Sequence, residues 1–192
     1  MDSEMSYEPS RDKAEHELRM RFMQIKSEYD IFYKELIGKG KLNCRDTKIG
    51  FWGCSSSDAV FEFFRKINLQ NFNNFLDLGS GDGIVVSIAS LFTDSAGIEF
   101  DKELHDKALN MRDKLSLNTT LINQDFFDIN ISDYDIIFIN PDKDFTRHGV
   151  EKKILKELNK TLIVYNNIFK PNLLNRGRTF WHNQIPVTLW YK

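Results

Sequence analysis

The spacing of apolar positions changes character along the chain, and each change marks an element. From residue 10 to residue 37, Leu18, Phe22, Ile25, Tyr29, Phe32 and Leu36 recur at intervals of three and four, which predicts one long amphipathic helix with a single apolar stripe. Gly38 and Gly40 in "IGKGK" supply its stop. A helix with one stripe has to lie on something, either the rest of the domain or a second subunit. In "GFWGCSSSDAVFEFFRKI", one of Ser55, Ser56 and Ser57 caps a second helix that turns Val60, Phe63, Phe64 and Ile67 inward. The "GFWG" ahead of it reads as a loop with two large aromatics, which serve either as core plugs or as the wall of a pocket.

From residue 75 the period shortens. "FLDLG", "SAGIEF", "TTLIN", "YDIIFIN" and "TLIVYN" are short apolar runs, and helical patterns such as "DKELHDKALNMRDKL" and "VEKKILKELN" alternate with them. Buried strands alternating with helices predict an α/β fold: a doubly wound, mostly parallel sheet covered on both faces. The tail "RTFWHNQIPVTLWYK" breaks the alternation and predicts two short strands around a turn near Asn183 and Pro186, an antiparallel edge. The expected division is an N-terminal helical extension over residues 1–40 and one domain over residues 41–192. A chain of 192 residues is ample for one hydrophobic core.

Composition narrows the setting. No apolar run approaches the length of a membrane span, and the polar, acidic start lacks the character of a secretory signal. Cys44 and Cys54 are too few for a disulfide framework and have no metal-site company, so the expectation is free thiols in the cytoplasm and no metal. The formal net charge of −2 is unevenly spread: residues 143–192 carry ten Lys or Arg against three Asp or Glu, and residues 41–142 carry nine against sixteen. The basic C-terminal third is either a solvated face or a surface for an acidic partner, protein or nucleic acid.

The candidate chemistry lies in "NNFLDLGSGDGIVVSIAS", where glycines at 79, 81 and 83 and aspartates at 77 and 82 sit between two apolar runs. In a doubly wound sheet this turn faces the ligand crevice beyond the strand ends. A dinucleotide site needs G-x-G-x-x-G and a pyrophosphate. Here the spacing is G-x-G-x-G, Ile84 holds the third glycine's place, and the aspartates oppose a pyrophosphate. A P-loop lacks its Gly-Lys-Ser/Thr. An acidic, open turn suits a small cationic nucleoside.

"FLDLGSGDG" resembles the first motif of class I methyltransferases, which use S-adenosylmethionine, and the likeness continues in order over roughly residues 72–166. It implies that Asp77, Gly79, Ser80, Gly81 and Gly83 line the methionine part of the cofactor. It places Glu99, followed by Phe100 in "GIEFD", on both ribose hydroxyls, and Asp125 with Phe126 on the adenine. Asn140 and Pro141 then stand at the end of the fourth strand, where the chemistry occurs. In adenine amino-methyltransferases, Asn-Pro-Pro-aromatic at this position accepts hydrogen bonds from the target amine and stacks a flipped base. Here the run is Asn140-Pro141-Asp142-Lys143-Asp144-Phe145, without the second proline and with the aromatic two positions late. The turn, the "GIEFD" acid, the short length and the ending "VTLWYK" are similar to small archaeal protein-lysine methyltransferases and their mitochondrial relatives. That likeness implies a protein lysine as acceptor, with Asp142 and Asp144 drawing in its cation. A nucleic-acid base methylase, with Trp181 or Phe145 as stacking surface, a small-molecule methylase, and a non-catalytic partner subunit remain open, as does oligomeric state.

Overall fold

The computed structural model describes residues 9–48, 50–144 and 149–192, with side chains described from residue 12 onward. Five parallel strands form the centre of the sheet: β3 (Asn74–Leu78), β4 (Asp94–Ile98), β5 (Thr119–Ile122), β6 (Ile136–Ile139) and β7 (Thr161–Tyr165). With β8 (Asn175–His182) and β9 (Ile185–Tyr191) the spatial order is β5-β4-β3-β6-β7-β9-β8, and β9 runs antiparallel to both neighbours. The chain leaves β3 toward β4 and β5, then returns to the other side of β3 with β6. That reversal is the point at which such sheets open a ligand crevice.

The pleat sorts the core. In β6, Ile136 and Phe138 join the cluster under helices α1 (Pro9–Gly38), α2 (Ser57–Lys66) and α3 (Ile84–Ala89). Ile137 and Ile139 join the opposite cluster, under α5 (Val150–Glu157). Helix α4 (Lys102–Lys114) adds Met111 to the first cluster. The predicted stripe of α1 lies on the domain itself: Phe22, Ile25 and Tyr29 are buried, and Phe22 stacks on Phe61 of α2 with ring centroids 4.0 Å apart.

Two features differ from the sequence reading. The "GFWG" segment is the second strand of a small hairpin, β1 (Cys44–Asp46) against β2 (Phe51–Gly53). Three-residue strands carry too little periodicity to distinguish them from loop. The outer hairpin is also longer than the tail suggested, because β8 begins at Asn175. Its turn is made by Asn183 and Gln184, both at positive φ, a two-residue connection whose twist suits antiparallel strands.

Candidate active site

The carboxyl ends of β3, β4 and β6, with the segment after β5, open into a cavity of about 390 Å³. Its floor is the turn after β3. Gly81 has φ +56°, and a β-carbon there would come within 2.7 Å of Trp52, so the turn and the indole of β2 need a glycine to meet. Gly83 has φ +84°, and a β-carbon there would strike Ala108 of α4 at 2.8 Å. Its constraint is the packing of α3 on α4, and Gly83 lies outside the cavity wall.

Three carboxylates surround this turn. Asp77 is 3% exposed and has no donor or cation against its side chain among the described residues. Burial, with Glu99 and Asp82 nearby, pushes its pKa well above the usual carboxylate value. Glu99 is 8% exposed and accepts the N–H of Gly81 on Oε2 at 2.8 Å and that of Asp101 on Oε1 at 2.7 Å. Burial raises its pKa despite those two bonds. Each oxygen keeps a second lone pair, so the carboxylate is held by main chain and still able to receive a ligand.

Asp82 has a different task. Its Oδ2 accepts the Tyr33 hydroxyl at 2.7 Å, its Oδ1 accepts the N–H of Ile84 at 3.2 Å, and its carbonyl accepts the Tyr29 hydroxyl at 3.0 Å. Burial pushes its pKa up to about 6, against the lowering effect of the first two bonds. The N-terminal helix therefore grips the glycine turn from behind. The signal in the sequence was the pair Tyr29 and Tyr33, four apart on one helix face, whose hydroxyls need partners once buried.

The hairpin β1–β2 closes the cavity from above and is tied at two ends. Arg45 Nη2 lies 2.9 Å from Asp101 Oδ1, and the Phe51 N–H donates to Asp142 Oδ2 at 2.7 Å. On the far side Asp125 accepts the N–H of Phe127 at 3.0 Å, which holds the short helical turn carrying Phe126 into the wall. Asn140 lines the end near Ser55. Asn166, which follows β7, donates through Nδ2 to Asn140 Oδ1 at 2.9 Å and to the Pro141 carbonyl at 2.8 Å. Its own Oδ1 accepts from Ile168 N–H at 2.8 Å. That chain of bonds sets the orientation of both amides.

Of the residues singled out from sequence, Asp77, Gly79, Ser80 and Gly81 share this cavity with Glu99, Asp125, Phe126 and Asn140. Phe100 is 41% exposed and stands outside the wall, as do Pro141 and Asp144. Phe145 lies outside the described residues, and Trp181 belongs to a different cavity. Asp142 and Trp52 do line this cavity, the second as one of the two alternatives its segment allowed, whereas Asn166, which arrives from the segment after β7, was missed because it meets Asn140 only in three dimensions.

The donor set fits a cationic nucleoside. A buried carboxylate without a cation and a preoriented second carboxylate favour a positively charged, hydroxyl-bearing ligand over a phosphate. A parallel sheet of this order, with a glycine turn after its first central strand and an acid at the end of the next, defines the class I S-adenosylmethionine-dependent methyltransferases. The family model described as "Histone methylation protein DOT1" matches residues 49–180, and the chain belongs to that family of methyltransferases, with S-adenosylmethionine as methyl donor. Solved structures share the fold. An RNA methyltransferase from Salinibacter ruber, in complex with S-adenosyl-L-homocysteine, is 19% identical with a TM-score of 0.63, over 72% of this chain and 92% of that one. Mitomycin 7-O-methyltransferase MmcR is 11% identical with a TM-score of 0.58, over 71% of this chain and 54% of that one. A mutant of MtNAS in complex with S-adenosylmethionine is 12% identical with a TM-score of 0.57, over 71% and 62%. No curated protein gives a significant sequence match. Among the described residues no helix is long and apolar enough to cross a membrane.

Proposed function

We infer that the protein methylates a lysine side chain of a protein substrate. The observation that carries this reading is the match to a family described by histone methylation, over the segment that supplies both the cofactor turn and the acceptor wall. The likeness to small archaeal and mitochondrial protein-lysine methyltransferases points the same way.

In this reading Asp77 answers the positive charge of the methionine part, while Gly79, Ser80 and Gly81 let the main chain approach it. The free lone pairs of Glu99 take the ribose hydroxyls. Asp125 and Phe126 receive the adenine, and Trp52 roofs the methionine end. The bound cofactor supplies a methyl group on a sulfonium: the amine lone pair forms the new N–C bond as the S–C bond breaks, leaving S-adenosylhomocysteine. The enzyme's part is to present a neutral, aligned amine. The buried indole of Trp52 excludes water on its side of the cavity and so lowers the pKa of an entering lysine. Asn140 Oδ1 retains one lone pair beside its bond to Asn166, so it can accept from the amine and point the amine's own lone pair at the methyl.

The test is transfer of labelled methyl from S-adenosylmethionine to core histones and to a lysine peptide, by wild type and by Asn140→Ala. Incorporation on lysine that falls at least about tenfold in the variant, with cofactor affinity held, is the expected result. Label found on nucleic acid instead, or an unaffected rate in the variant, overturns it.

A further inference from the structure

A second, smaller cavity of about 190 Å³ lies between the segment that follows β7 and the face of the outer hairpin β8–β9. Pro186, Thr188 and Trp190 alternate along β9, and Trp181 and Arg176 stand opposite the first and last of them on β8. The pleat therefore gathers them on one side of the sheet. Lys170 reaches the same cavity from the segment after β7. Its wall thus holds two cations and two indoles, and no Asp or Glu among the described residues.

Neither cation is neutralised. Lys170 and Arg176 form no ion pair among the described residues, and Arg176 spends one donor on Thr179 Oγ1 at 3.1 Å. Trp190 is 7% exposed, and its indole N–H has no hydrogen-bond partner among the described residues, so no protein acceptor offsets its positive pole. Trp181 is 66% exposed, an apolar plate at the rim. Uncompensated positive charge against an apolar wall calls for an anion with some apolar stem.

The position of this cavity gives it a purpose. Asn166 lines it and at the same time bonds Asn140 and Pro141 at the acceptor end of the cofactor cavity. One hydrogen bond, from Asn166 to Asn140, thus joins a wall residue of each space. It is held rigidly: Asn166 sits at φ +85°, its N–H donates to the Pro186 carbonyl at 2.8 Å, and its Oδ1 accepts from Ile168. A substrate segment whose lysine reaches Asn140 and runs on past Asn166 lays a neighbouring residue over the second cavity.

We propose that this cavity is a docking subsite for an acidic side chain of the protein substrate, neighbouring the methylated lysine; this rests on the lysine reading given above. A carboxylate there takes charge-assisted bonds from Lys170 and Arg176, with its methylene stem against Trp181. The whole protein, with net charge −2 and pI near 6.1, exerts no overall attraction on a nucleic-acid backbone, although its C-terminal third is locally basic. Two cations in a small cavity suit a single carboxylate better than a run of phosphates.

The experiment uses the full chain saturated with S-adenosylhomocysteine and three probes: a peptide with one lysine flanked by glutamates, the same peptide with glutamines, and a single-stranded oligonucleotide. Binding is read by calorimetry. The glutamate peptide should bind at least about tenfold tighter than the glutamine peptide. The double substitution Lys170→Glu with Arg176→Glu should erase that preference while leaving S-adenosylhomocysteine binding unchanged. Arg176→Gln alone should reduce it partly, and both positions are exposed, so folding is not at stake. Equal binding of the two peptides, a preference that survives the double variant, or an oligonucleotide that outcompetes the glutamate peptide would each overturn the proposal. Methyl transfer to the peptide is measured separately: preferential binding without transfer leaves the subsite standing and removes the lysine reading.

Discussion

Replacing Glu99 by glutamine probes how the cofactor is held. The wild-type carboxylate receives one main-chain N–H on each oxygen, at 2.8 and 2.7 Å, and keeps one lone pair on each for the ribose. Glutamine has one oxygen, so its NH2 must face either the Gly81 or the Asp101 N–H, donor against donor. The ligand then loses one charge-assisted bond, worth about 1.5–3 kcal/mol, and the other falls to a neutral bond weaker by about 1 kcal/mol. The sum, about 3 kcal/mol, corresponds to roughly a 100-fold rise in the dissociation constant for S-adenosylmethionine. Folding should lose about 1–3 kcal/mol for the main-chain N–H left facing a donor, offset in part because the charge being removed is one that burial disfavours. The assay is calorimetric titration of both proteins, with a 2′,3′-dideoxy cofactor analogue closing the double cycle. The analogue should bind the two proteins almost equally. A folded variant that binds the natural cofactor within about threefold of wild type would refute the reasoning.

Three further outcomes follow from the same geometry. Gly81→Ala places a methyl against Trp52 in a left-handed backbone position, and cofactor affinity should fall by at least about tenfold; unchanged affinity would mean that Trp52 moves away freely. Asp82 titrates near pH 6 in the fold, above an unfolded value near 4, so its protonation adds stability as the pH falls through 6. Tyr33→Phe removes a bond that lowers this pKa, and the carboxyl carbon resonance of Asp82 should titrate higher than in wild type; an unmoved midpoint would deny the tie to α1. Asp135 accepts from the Asn73 N–H at 3.1 Å and from Lys160 Nζ at 2.8 Å. Those partners hold its pKa below the usual value in spite of burial. Asp135→Ala should cost roughly 2 kcal/mol in urea unfolding near neutral pH, the deficit shrinking as the pH falls below about 4, where wild type loses the same bonds.

Much of this was legible in the chain. Strands of four or five buried residues alternating with helices leave a period that survives in one dimension, so the parallel sheet and its antiparallel edge could be read directly. The turn from Asp77 to Gly83 was legible because its conformation and its chemistry both depend on residues adjacent in sequence. Glu99, Asp125 and Asn140, singled out through the resemblance, line one cavity because each follows a strand and strand ends in such a sheet share one edge.

What resisted reading depends on contacts between distant segments. Gly83 looked like part of the ligand mould, yet its missing side chain makes room for Ala108. Asp82 looked like ligand chemistry, yet its oxygens are taken by Tyr33 and the Ile84 N–H. The hairpin carrying Trp52 was too short to announce itself, and its ties through Arg45 and Phe51 run to partners 56 and 91 residues away. Periodicity and local motifs record which surface a residue turns toward, because burial repeats with the backbone. They carry no record of which other segment arrives there, because that is decided only when helices and loops pack. The sequence by itself therefore determined the sheet, the glycine turn and the acids at the strand ends; the tertiary structure alone decided that α1 braces the turn, that Trp52 roofs it, and that Asn166 stands between two cavities.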